Sequence, residues 1–527
     1  MSVRALLEAR AEATPDAPFV THEETTLSFA DALERADRTA AGLFAMGVRR
    51  GAKVAVVLPN SLEIIDTWFA CSLMGAVLVP VNTGLRGEGL RYILEHSDAE
   101  LAVIDAPLVD TVEAALGVGE GLSRRFVRGL PEDGLKPGYE PYAALEQAAS
   151  GPGPRADVGP EALASILYTS GTTGLPKGVM NCHNSYVTAA TEFARNFVRL
   201  REDDVLYTSL PLFHVNAQSL TTLGSIVSGR PMVLASRFSA SRLFEDMARH
   251  GATVFNYIGA MLTMLYKQPE RRQDGENAVR LAVGGAAPAE LWRSFERRFG
   301  LSVLEIYGLT ETATFCVGSP PDDIRPGKIG QPVSWAEVAV VREDGSPSPA
   351  REAGEIVVRS KRPNTIFQGY YKSEDATASA MRDGWFHTGD RGSRDEDGYF
   401  AFIDRLKDSI RRRGENISSY EVERVVNSHP DVAESAAFGV PSDLGEEEVM
   451  VVVIPRGGAV DPGQLIEFCR ERMADFMVPR YVRAQVELPK TATQRVQKFE
   501  LRKQGVEGAW DRLAPLASLS PADGRTS

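Results

Sequence analysis

The residues best suited to chemistry lie in one short segment rich in glycine and hydroxyl side chains. Between positions 169 and 177 it holds two glycines, four hydroxyl residues and a lysine, in the order Tyr168-Thr169-Ser170-Gly171-Thr172-Thr173-Gly174-Leu175-Pro176-Lys177-Gly178. Backbone N–H groups, hydroxyls and one ammonium are suited to surround a polyphosphate, although the tip of a flexible hairpin can have the same composition. Two residues separate the glycines, and Gly178 follows the lysine where a P-loop carries Ser or Thr. A P-loop NTPase is therefore disfavoured.

The sequence around this segment predicts alternating strands and helices, which would position it. Helix-length amphipathic stretches separate short β-rich runs at 54–58, 101–104, 164–169 and 232–234. This order predicts βαβ units and a mostly parallel sheet within the first 330 residues. The longest apolar stretch, 68–81, is too short to span a bilayer, and it predicts a core helix that runs into a buried strand.

The texture of the sequence changes twice towards the C-terminus. From about residue 330, shorter strands and turns rich in Gly, Pro and Asp predict a small β-rich subdomain over 330–404. After it, helices at 420–428 and 464–474 and strands at 433–440 and 449–454 predict a separate α+β domain. The predicted organisation is an α/β N-terminal domain over 1–406, a C-terminal domain over 407–514, and a small, polar, disordered tail over 515–527.

Composition excludes several classes of protein. The 527 residues include 58 Lys and Arg against 71 Asp and Glu, a net charge of −13, with no long basic block. Nucleic acid and anionic membrane surfaces are therefore not expected as partners. The four cysteines are far apart and include no CxxC pair, which argues against a zinc ribbon or a disulfide framework. The N-terminus lacks the features of a signal peptide, so we predict a cytoplasmic protein, either a monomer or a homodimer.

Six motifs in order resemble those of the adenylate-forming enzymes, which include acyl-CoA synthetases, peptide adenylation domains and luciferases. Besides the glycine-rich segment they are Pro211-Leu212-Phe213-His214, Gly284-Gly285-Ala286-Ala287-Pro288, Tyr307-Gly308-Leu309-Thr310-Glu311-Thr312, Gly384-Trp385-Phe386-His387-Thr388-Gly389-Asp390, and Asp404-Arg405-Leu406-Lys407-Asp408 continuing to Gly414-Glu415-Asn416-Ile417. The resemblance extends to about Trp510. It implies a large N-terminal domain of two mostly parallel sheets with helices plus a small β-barrel-like unit, followed by a mobile α+β C-terminal domain.

The resemblance implies a role for each motif in joining a weak oxyanion to the α-phosphorus of ATP. Lys177 would hold the β- and γ-phosphates, together with Thr169, Ser170, Gly171, Thr172, Thr173 and Gly174. Glu311 would bind Mg²⁺, and Thr310 would contact the α-phosphate. The adenosine would be held by Tyr307 on the adenine, by the backbone of Gly285, Ala286 and Ala287 opposite it, by Asp390 on the ribose, and by Arg405 on ribose or phosphate.

The acid and coenzyme A would use other positions. The implied acid pocket consists of Phe213, His214, Asn216, Ile258, Gly284, Gly308 and Thr312, a mixture of apolar and small residues with few charges. His214 would stand at its mouth, or would simply pack there. Lys407 matches the hinge about which the C-terminal domain swings, and Gly414 would let the pantetheine arm pass. The neighbouring run 411–413 is all arginine, and it could meet coenzyme A phosphates or be a solvated turn.

One motif departs from the family pattern. A Gly-Lys pair normally follows Pro-Lys-Thr near the C-terminus, and its lysine stabilises charge during adenylation. Here Gln494-Arg495 stands at that position, and arginine is longer, planar and permanently protonated. Three explanations are open: Arg495 acts in the lysine's place, Lys498 substitutes, or the adenylated group is unusual.

The sequence supports two enzymatic readings. Segments 213–218, 255–265 and 413–418 look most like the crotonobetaine/carnitine-CoA and medium-chain acid-CoA ligases, which predicts an AMP-forming ligase that joins a small, aliphatic or aromatic, organic acid to coenzyme A. The alternative is an adenylating enzyme without coenzyme A, which passes the adenylate to an amine or carrier protein, or activates nitrite to diazotise an aromatic amine. A catalytically silent nucleotide-binding protein is disfavoured, because the phosphate, metal and ribose groups are all present.

Overall fold

The protein is described from a computed structural model covering residues 1–117, 121–130, 134–148, 151–169, 175–272, 274–405, 409–442, 445–489, 496 and 498–514. Its chain divides into two compact units, Met1–Lys407 and Asp408–Ser527. Within the described residues, no helix combines the length and apolar character that crossing a membrane requires. The predicted tail, 515–527, lies outside the described residues.

The helices are numbered in chain order. They are α1 Val3–Ala13, α2 Phe29–Ala45, α3 Leu62–Met74, α4 Gly87–His96, α5 Val109–Leu116, α6 Ala143–Gln147, α7 His183–Thr191, α8 Leu223–Ser228, α9 Leu243–Arg249, α10 Gly259–Tyr266, α11 Ala289–Phe299, α12 Glu374–Ala380, α13 Ser419–Asn427, α14 Pro462–Arg470 and α15 Lys498–Lys503. Two π-helical segments, Glu192–Phe197 and Ala217–Thr222, continue α7 and lead into α8.

The strands are numbered in the same way. They are β1 Pro18–His22, β2 Thr25–Ser28, β3 Lys53–Val57, β4 Val77–Pro80, β5 Ala99–Asp105, β6 Arg124–Arg128, β7 Glu140–Pro141, β8 Leu163–Thr169, β9 Lys177–Cys182, β10 Leu206–Thr208, β11 Met232–Leu234, β12 Val254–Ile258, β13 Leu281–Gly285, β14 Ser302–Tyr307, β15 Val317–Gly318, β16 Gln331–Pro332, β17 Ala336–Val341, β18 Gly354–Ser360, β19 Met381–Arg382, β20 Trp385–Arg394, β21 Phe400–Arg405, β22 Ser409–Arg412, β23 Glu415–Ser418, β24 Val432–Pro441, β25 Glu447–Pro455, β26 Tyr481–Ala484 and β27 Trp510–Asp511.

The first unit contains two large sheets. One has the order β7-β6-β5-β3-β4-β8-β9 and is parallel except for the antiparallel pair β8–β9. The other has the order β16-β15-β14-β13-β12-β10-β11-β1-β2 and is parallel from β14 to β1. Parallel strands need crossover connections, and helices supply them here. Strands β17 to β21 form a separate antiparallel sheet, in which β20 pairs with β18, β19 and β21.

A layer of helices joins the two large sheets into one core. Buried side chains of α2, α3 and α7 share one core with residues of both sheets, and the rings of Trp68 on α3 and Tyr186 on α7 pack with their centroids 5.9 Å apart and their planes tilted by 53°. The predicted core helix and buried strand at 68–81 are confirmed as α3 and β4. The second face of the seven-stranded sheet is covered by α4 and α5.

The second unit is built around the antiparallel pair β24–β25, which β26 and β27 extend. Helices α13 and α14 correspond to the two predicted helices. However, α14 begins two residues earlier, because Asp461 caps it and Pro462 occupies its first turn, and it ends at Arg470, four residues before the predicted end. The predicted fold class is confirmed: two mostly parallel sheets with helices, a small antiparallel β unit, and an α+β C-terminal unit.

Candidate active site

Strands β8 and β9 flank the predicted phosphate-binding segment. They are antiparallel, and Thr169 pairs with Lys177 across the end of the two strands. A Cβ atom added at Gly178 would lie 2.7 Å from the Ile166 side chain, so the residue after the lysine must be glycine for β9 to pack here. The side chains of Thr169 and Lys177 are both half-buried. The remaining predicted phosphate contacts, Ser170, Gly171, Thr172, Thr173 and Gly174, lie outside the described residues.

Glu311 is held in a short 3₁₀ helix, Thr310–Thr312, that follows β14. Its side chain is 7% exposed, and its Oε1 atom accepts a hydrogen bond of 2.8 Å from the Tyr370 hydroxyl. Asn181 on β9 donates its side-chain N–H to the main-chain oxygen of Thr310 at 3.1 Å. The strand that begins at Lys177 therefore also anchors the turn that carries Glu311 and the half-buried Thr310.

Tyr307 and Asp390, the predicted adenine and ribose contacts, touch each other. Tyr307 is the last residue of β14, and its hydroxyl donates to Asp390 Oδ2 at 2.8 Å. Asp390 is 3% exposed, and its backbone N–H donates to the Thr388 hydroxyl, which donates in turn to the main-chain oxygen of Ile356. Burial and the adjacent Asp390 carboxylate raise the pKa of Tyr307, so its hydroxyl stays protonated and remains a donor. Asp390 also pairs through the backbone with Arg405, the last residue of β21.

The predicted backbone wall, Gly285 to Ala287, leaves the end of β13. Ala286 adopts a left-handed conformation with φ of 64°, and Glu305 supports it from below by accepting hydrogen bonds from the backbone N–H groups of Ala286 (2.5 Å) and Ala287 (3.0 Å). The Tyr257 hydroxyl donates to the same carboxylate at 2.9 Å. Burial raises the pKa of Glu305 to about 8, although the three donors oppose that shift.

The predicted acid-pocket residues lie on neighbouring loops and strand ends. Ile258 ends β12 and pairs with Gly285, and Gly284 on β13 has no room for a side chain because its Cβ would lie 2.0 Å from the Tyr257 main-chain oxygen. Gly308 is equally confined, 2.1 Å from the main-chain oxygen of Thr314. These glycines bring the strand ends and the turn after β14 close together.

The other wall precedes the π-helical segment at 217–222. Phe213 and His214 are half-buried, with ring centroids 4.9 Å apart, and the Thr314 hydroxyl donates to the main-chain oxygen of Val215 at 3.3 Å. Asn216 is also half-buried, and its side-chain oxygen accepts an N–H from Asn256 on β12 at 3.0 Å. Thr312 is buried, and its hydroxyl caps its own short helix by accepting from the Leu309 N–H.

The second unit carries the remaining predicted positions. Gly414 lies between β22 and β23 with φ of 83°, and its N–H donates to Glu446. Arg412 is buried and forms an ion pair of 2.7 Å with Glu448, so this arginine is structural, whereas Arg411 and Arg413 keep 40% and 48% of their side chains exposed. Lys407 and Arg495 lie outside the described residues.

Lys498 is engaged within the second unit. Its ammonium contacts Glu423 at 2.7 Å and donates to the Ser419 hydroxyl at 2.7 Å, and its side chain is 14% exposed. A lysine that reached into a nucleotide site would have to give up both partners. The hypothesis that Lys498 replaces the family lysine is therefore disfavoured.

Sequence reasoning did not find three residues that organise the site: Tyr370, Glu305 and Asn181. A lone carboxylate inside the apolar strand Ser302–Tyr307 was the available signal for Glu305. Tyr370 and Asn181 carried no local signal, because Tyr370 is 59 residues from its partner Glu311 and Asn181 is 129 residues from its partner Thr310.

Comparison with known proteins identifies the family of the chain. Residues 7–371 match the family model described as AMP-binding enzyme, and residues 421–495 match the AMP-binding enzyme C-terminal domain. The chain belongs to the AMP-binding enzyme family. The resemblance to adenylate-forming enzymes is confirmed, and so is the prediction of an AMP-forming acid–CoA ligase or a related adenylate-forming ligase.

Similar proteins span nearly the whole chain. A sulfoacetate–CoA ligase of Cupriavidus necator is 34% identical over 511 residues, covering 95% of this chain and 97% of its own. A crotonobetaine/carnitine–CoA ligase of Salmonella typhimurium is 32% identical over 482 residues, covering 90% and 93%. A double mutant of the o-succinylbenzoate CoA synthetase of Bacillus subtilis, bound with a product analogue, superposes with a TM-score of 0.84 at 28% identity, covering 95% of this chain and 98% of that one.

Proposed function

We propose that the protein adenylates a small organic acid, aliphatic or aromatic, with ATP and Mg²⁺ and transfers the acyl group to coenzyme A. The observation that carries the proposal is the convergence of two linked pairs near the end of β14. Tyr307 with Asp390 would bind the nucleoside, and Lys177 with Glu311, both in contact with Tyr370, would bind the phosphates and their cation. Relatives named for sulfoacetate and for crotonobetaine or carnitine support an acid–CoA ligase.

The nucleoside is held between an aromatic ring and a bare backbone. Tyr307 stacks on adenine, and the backbone of Gly285, Ala286 and Ala287 lines the opposite side. Asp390, oriented by the Tyr307 hydroxyl, accepts hydrogen bonds from the ribose hydroxyls, and Arg405 adds a donor to ribose or phosphate. These contacts bind ATP and the adenylate alike, so they set affinity more than rate.

A magnesium site built from one protein carboxylate fits Glu311. Mg²⁺ prefers oxygen ligands and is commonly held by one or two carboxylates plus substrate phosphates. Glu311 supplies a buried carboxylate, and the described residues contain no cluster of three or more His, Cys, Asp or Glu that would form an all-protein cage. When bound, the ion neutralises charge on the phosphate oxygens.

The remaining residues position the reaction. A carboxylate oxygen of the acid attacks the α-phosphorus in line, and the bond to pyrophosphate breaks. Lys177 with the 169–174 segment holds the departing phosphates, while Thr310 and Arg495 meet the charge at the α-phosphate. The coenzyme A thiolate then attacks the acyl carbon and AMP leaves, after the C-terminal unit turns about Lys407 and admits the thiol past Gly414 and His214.

A second candidate function is adenylation without coenzyme A. Gln494-Arg495 replaces the Gly-Lys pair, and Lys498 is engaged with Glu423 and Ser419, so no described lysine of this segment supplies the missing ammonium. A planar guanidinium in place of an ammonium near the α-phosphate favours an altered partner, such as an amine, a carrier protein, or nitrite activated for diazotisation of an aromatic amine.

The test is ATP-dependent release of pyrophosphate and AMP across aliphatic and aromatic acids, each with and without coenzyme A. A parallel arm uses nitrite with and without an aminophenolic acid. Turnover that rises with coenzyme A and yields the thioester mass supports the ligase. Turnover with nitrite and the aromatic amine, indifferent to coenzyme A, supports the second candidate, and AMP release in neither arm refutes both.

Single substitutions connect this assay to the site. Lys177→Ala and Glu311→Ala should each lower the adenylation rate about a hundredfold without unfolding the protein, because each removes charge stabilisation at the phosphates. Exposed residues supply matched controls, Lys503→Ala for the lysine and Glu467→Ala for the glutamate. Equal rates for a site variant and its control would remove the proposed mechanism.

A further inference from the structure

Residues 367–371, which we call the strap, run alongside β9 and connect it to Glu311. The strap bonds to β9 through the Gln368 N–H to Met180, the Met180 N–H to Gly369, and the Tyr371 N–H to Gly178, all between 2.8 and 3.0 Å. At its first residue, the Phe367 N–H donates to the main-chain oxygen of Glu311 at 2.8 Å. The strap is therefore fixed both to the strand that begins at Lys177 and to the turn that carries Glu311.

Tyr370 makes the same connection with its side chain. The Lys177 ammonium lies over its ring, 4.8 Å from the centroid, which is within the range of a cation–π interaction. Its hydroxyl donates to Glu311 Oε1 at 2.8 Å.

A packing role alone would not require the hydroxyl. Tyr370 is 8% exposed, belongs to the main core, and its ring lies 5.1 Å from that of Phe367. Phenylalanine would preserve those contacts and the face presented to Lys177. It would remove only the hydrogen bond to Glu311, so Tyr370→Phe separates packing from positioning.

We propose that Tyr370 is a positioning residue that couples the phosphate-binding lysine to the metal-binding glutamate. Its hydroxyl fixes Oε1 of Glu311 and so sets the direction of the other carboxylate oxygen, while its ring face fixes the Lys177 ammonium. The Tyr370 side chain thereby sets the distance between the Lys177 ammonium and the proposed magnesium site at Glu311. The inference rests on the proposed roles of Lys177 and Glu311.

The experiment measures binding directly. Calorimetric titration with α,β-methylene-ATP, which cannot release pyrophosphate, gives a dissociation constant in EDTA and another in saturating Mg²⁺. The ratio of the two constants reports how strongly the magnesium ion is held in the complex. Tyr370→Phe should reduce this ratio about tenfold, as expected when a partner that orients a metal ligand is removed, and should leave the constant in EDTA within twofold of wild type.

Tyr371→Phe is the matched control, because it removes a neighbouring tyrosine hydroxyl that also donates to a carboxylate, Asp98, at 2.6 Å. It should behave as wild type. Tyr370→Leu removes the ring as well, and it should weaken binding of the analogue about fivefold even in EDTA, because Lys177 loses its support.

Glu311→Gln separates failure of this inference from failure of the proposed function. If Glu311→Gln loses the magnesium-dependent gain while Tyr370→Phe keeps all of it, the positioning role is wrong and the metal assignment stands. If Glu311→Gln keeps the gain as well, the metal assignment is wrong and the role of Tyr370 falls with it. A loss equal in Tyr370→Phe and Tyr371→Phe would also overturn the inference.

Discussion

From the hydrogen bond between Tyr307 and Asp390 we predict that loss of the Tyr307 hydroxyl weakens ATP binding. Tyr307→Phe keeps the ring proposed to stack on adenine and removes only the donor that lies 2.8 Å from Asp390 Oδ2. The lost bond is absent from free and bound enzyme alike, so most of its roughly 1.5 kcal/mol affects folding stability. The binding free energy of ATP becomes less favourable only by the cost of ordering the Asp390 side chain again, about 1 kcal/mol.

That cost corresponds to about a fivefold increase in KM for ATP, since 1.4 kcal/mol is tenfold. The value of kcat should not change, because a contact made equally to substrate and transition state affects only binding. The assay is acid-dependent pyrophosphate release with varied ATP. With 2′,3′-dideoxy-ATP, which lacks the hydroxyls that Asp390 would accept, wild type and Tyr307→Phe should have the same KM.

Tyr399→Phe serves as the control, since Tyr399 is also buried and its hydroxyl donates at 2.9 Å to the main-chain oxygen of Asp323. It should leave KM for ATP unchanged. Two results would refute the reasoning. A fall in kcat at constant KM would place Tyr307 in the chemical step, and an equal rise in KM for ATP and its dideoxy analogue would show that Asp390 does not transmit the effect.

Three further predictions concern the supports of the site. Burial raises the pKa of Glu305 to about 8, so folding favours its protonated form. The stabilisation that this group contributes to the folded state is fully present below about pH 4.5 and should be lost as pH rises through 8. In thermal unfolding, the unfolding temperature of Glu305→Gln should lack this dependence on pH. Lys498→Met should lower the unfolding temperature and leave the adenylation rate unchanged, whereas a folded but inactive variant would make Lys498 the missing lysine. Gly308→Ala should lower the rate about a hundredfold because its Cβ would meet backbone at 2.1 Å, with Gly458→Ala, where nothing lies within 4 Å, as the neutral control.

Much of the fold was predictable because its signals are local. The apolar runs at 54–58 and 101–104 became β3 and β5, since central parallel strands are buried on both faces and need uninterrupted apolar sequence. The start of α14 was placed two residues late, although Asp461 followed by Pro462 is a local signal for a helix start. The sequence therefore contains the information that places the start of α14, and the prediction overlooked the helix cap.

The arginine run shows a signal of another kind. Taken as one run, residues 411–413 predict either contacts with coenzyme A phosphates or a solvated turn, yet side chains on a strand alternate between faces. On β22 and its turn, Arg412 points inward to Glu448, while Arg411 and Arg413 face outward. Arg411 and Arg413 are therefore the two that can contact an anion. The alternation of side chains along a strand predicts that Arg412 differs from them.

The motifs do not predict the contacts that connect the site residues to one another. The order of the motifs predicts that Lys177, Glu311 and Asp390 share a site, but it does not predict their contacts: Tyr370, which belongs to none of the motifs, connects the first two, and the Tyr307 hydroxyl binds the third. Such contacts depend on which strands become neighbours, and a register shift of one residue on β9 would turn its side chains to the opposite face. Since β9 pairs with β8 on one edge and with the strap on the other, the strap fixes the register that brings Tyr370 under Lys177. Substitutions that loosen the strap should therefore impair phosphate and metal binding together, even where they touch neither ligand.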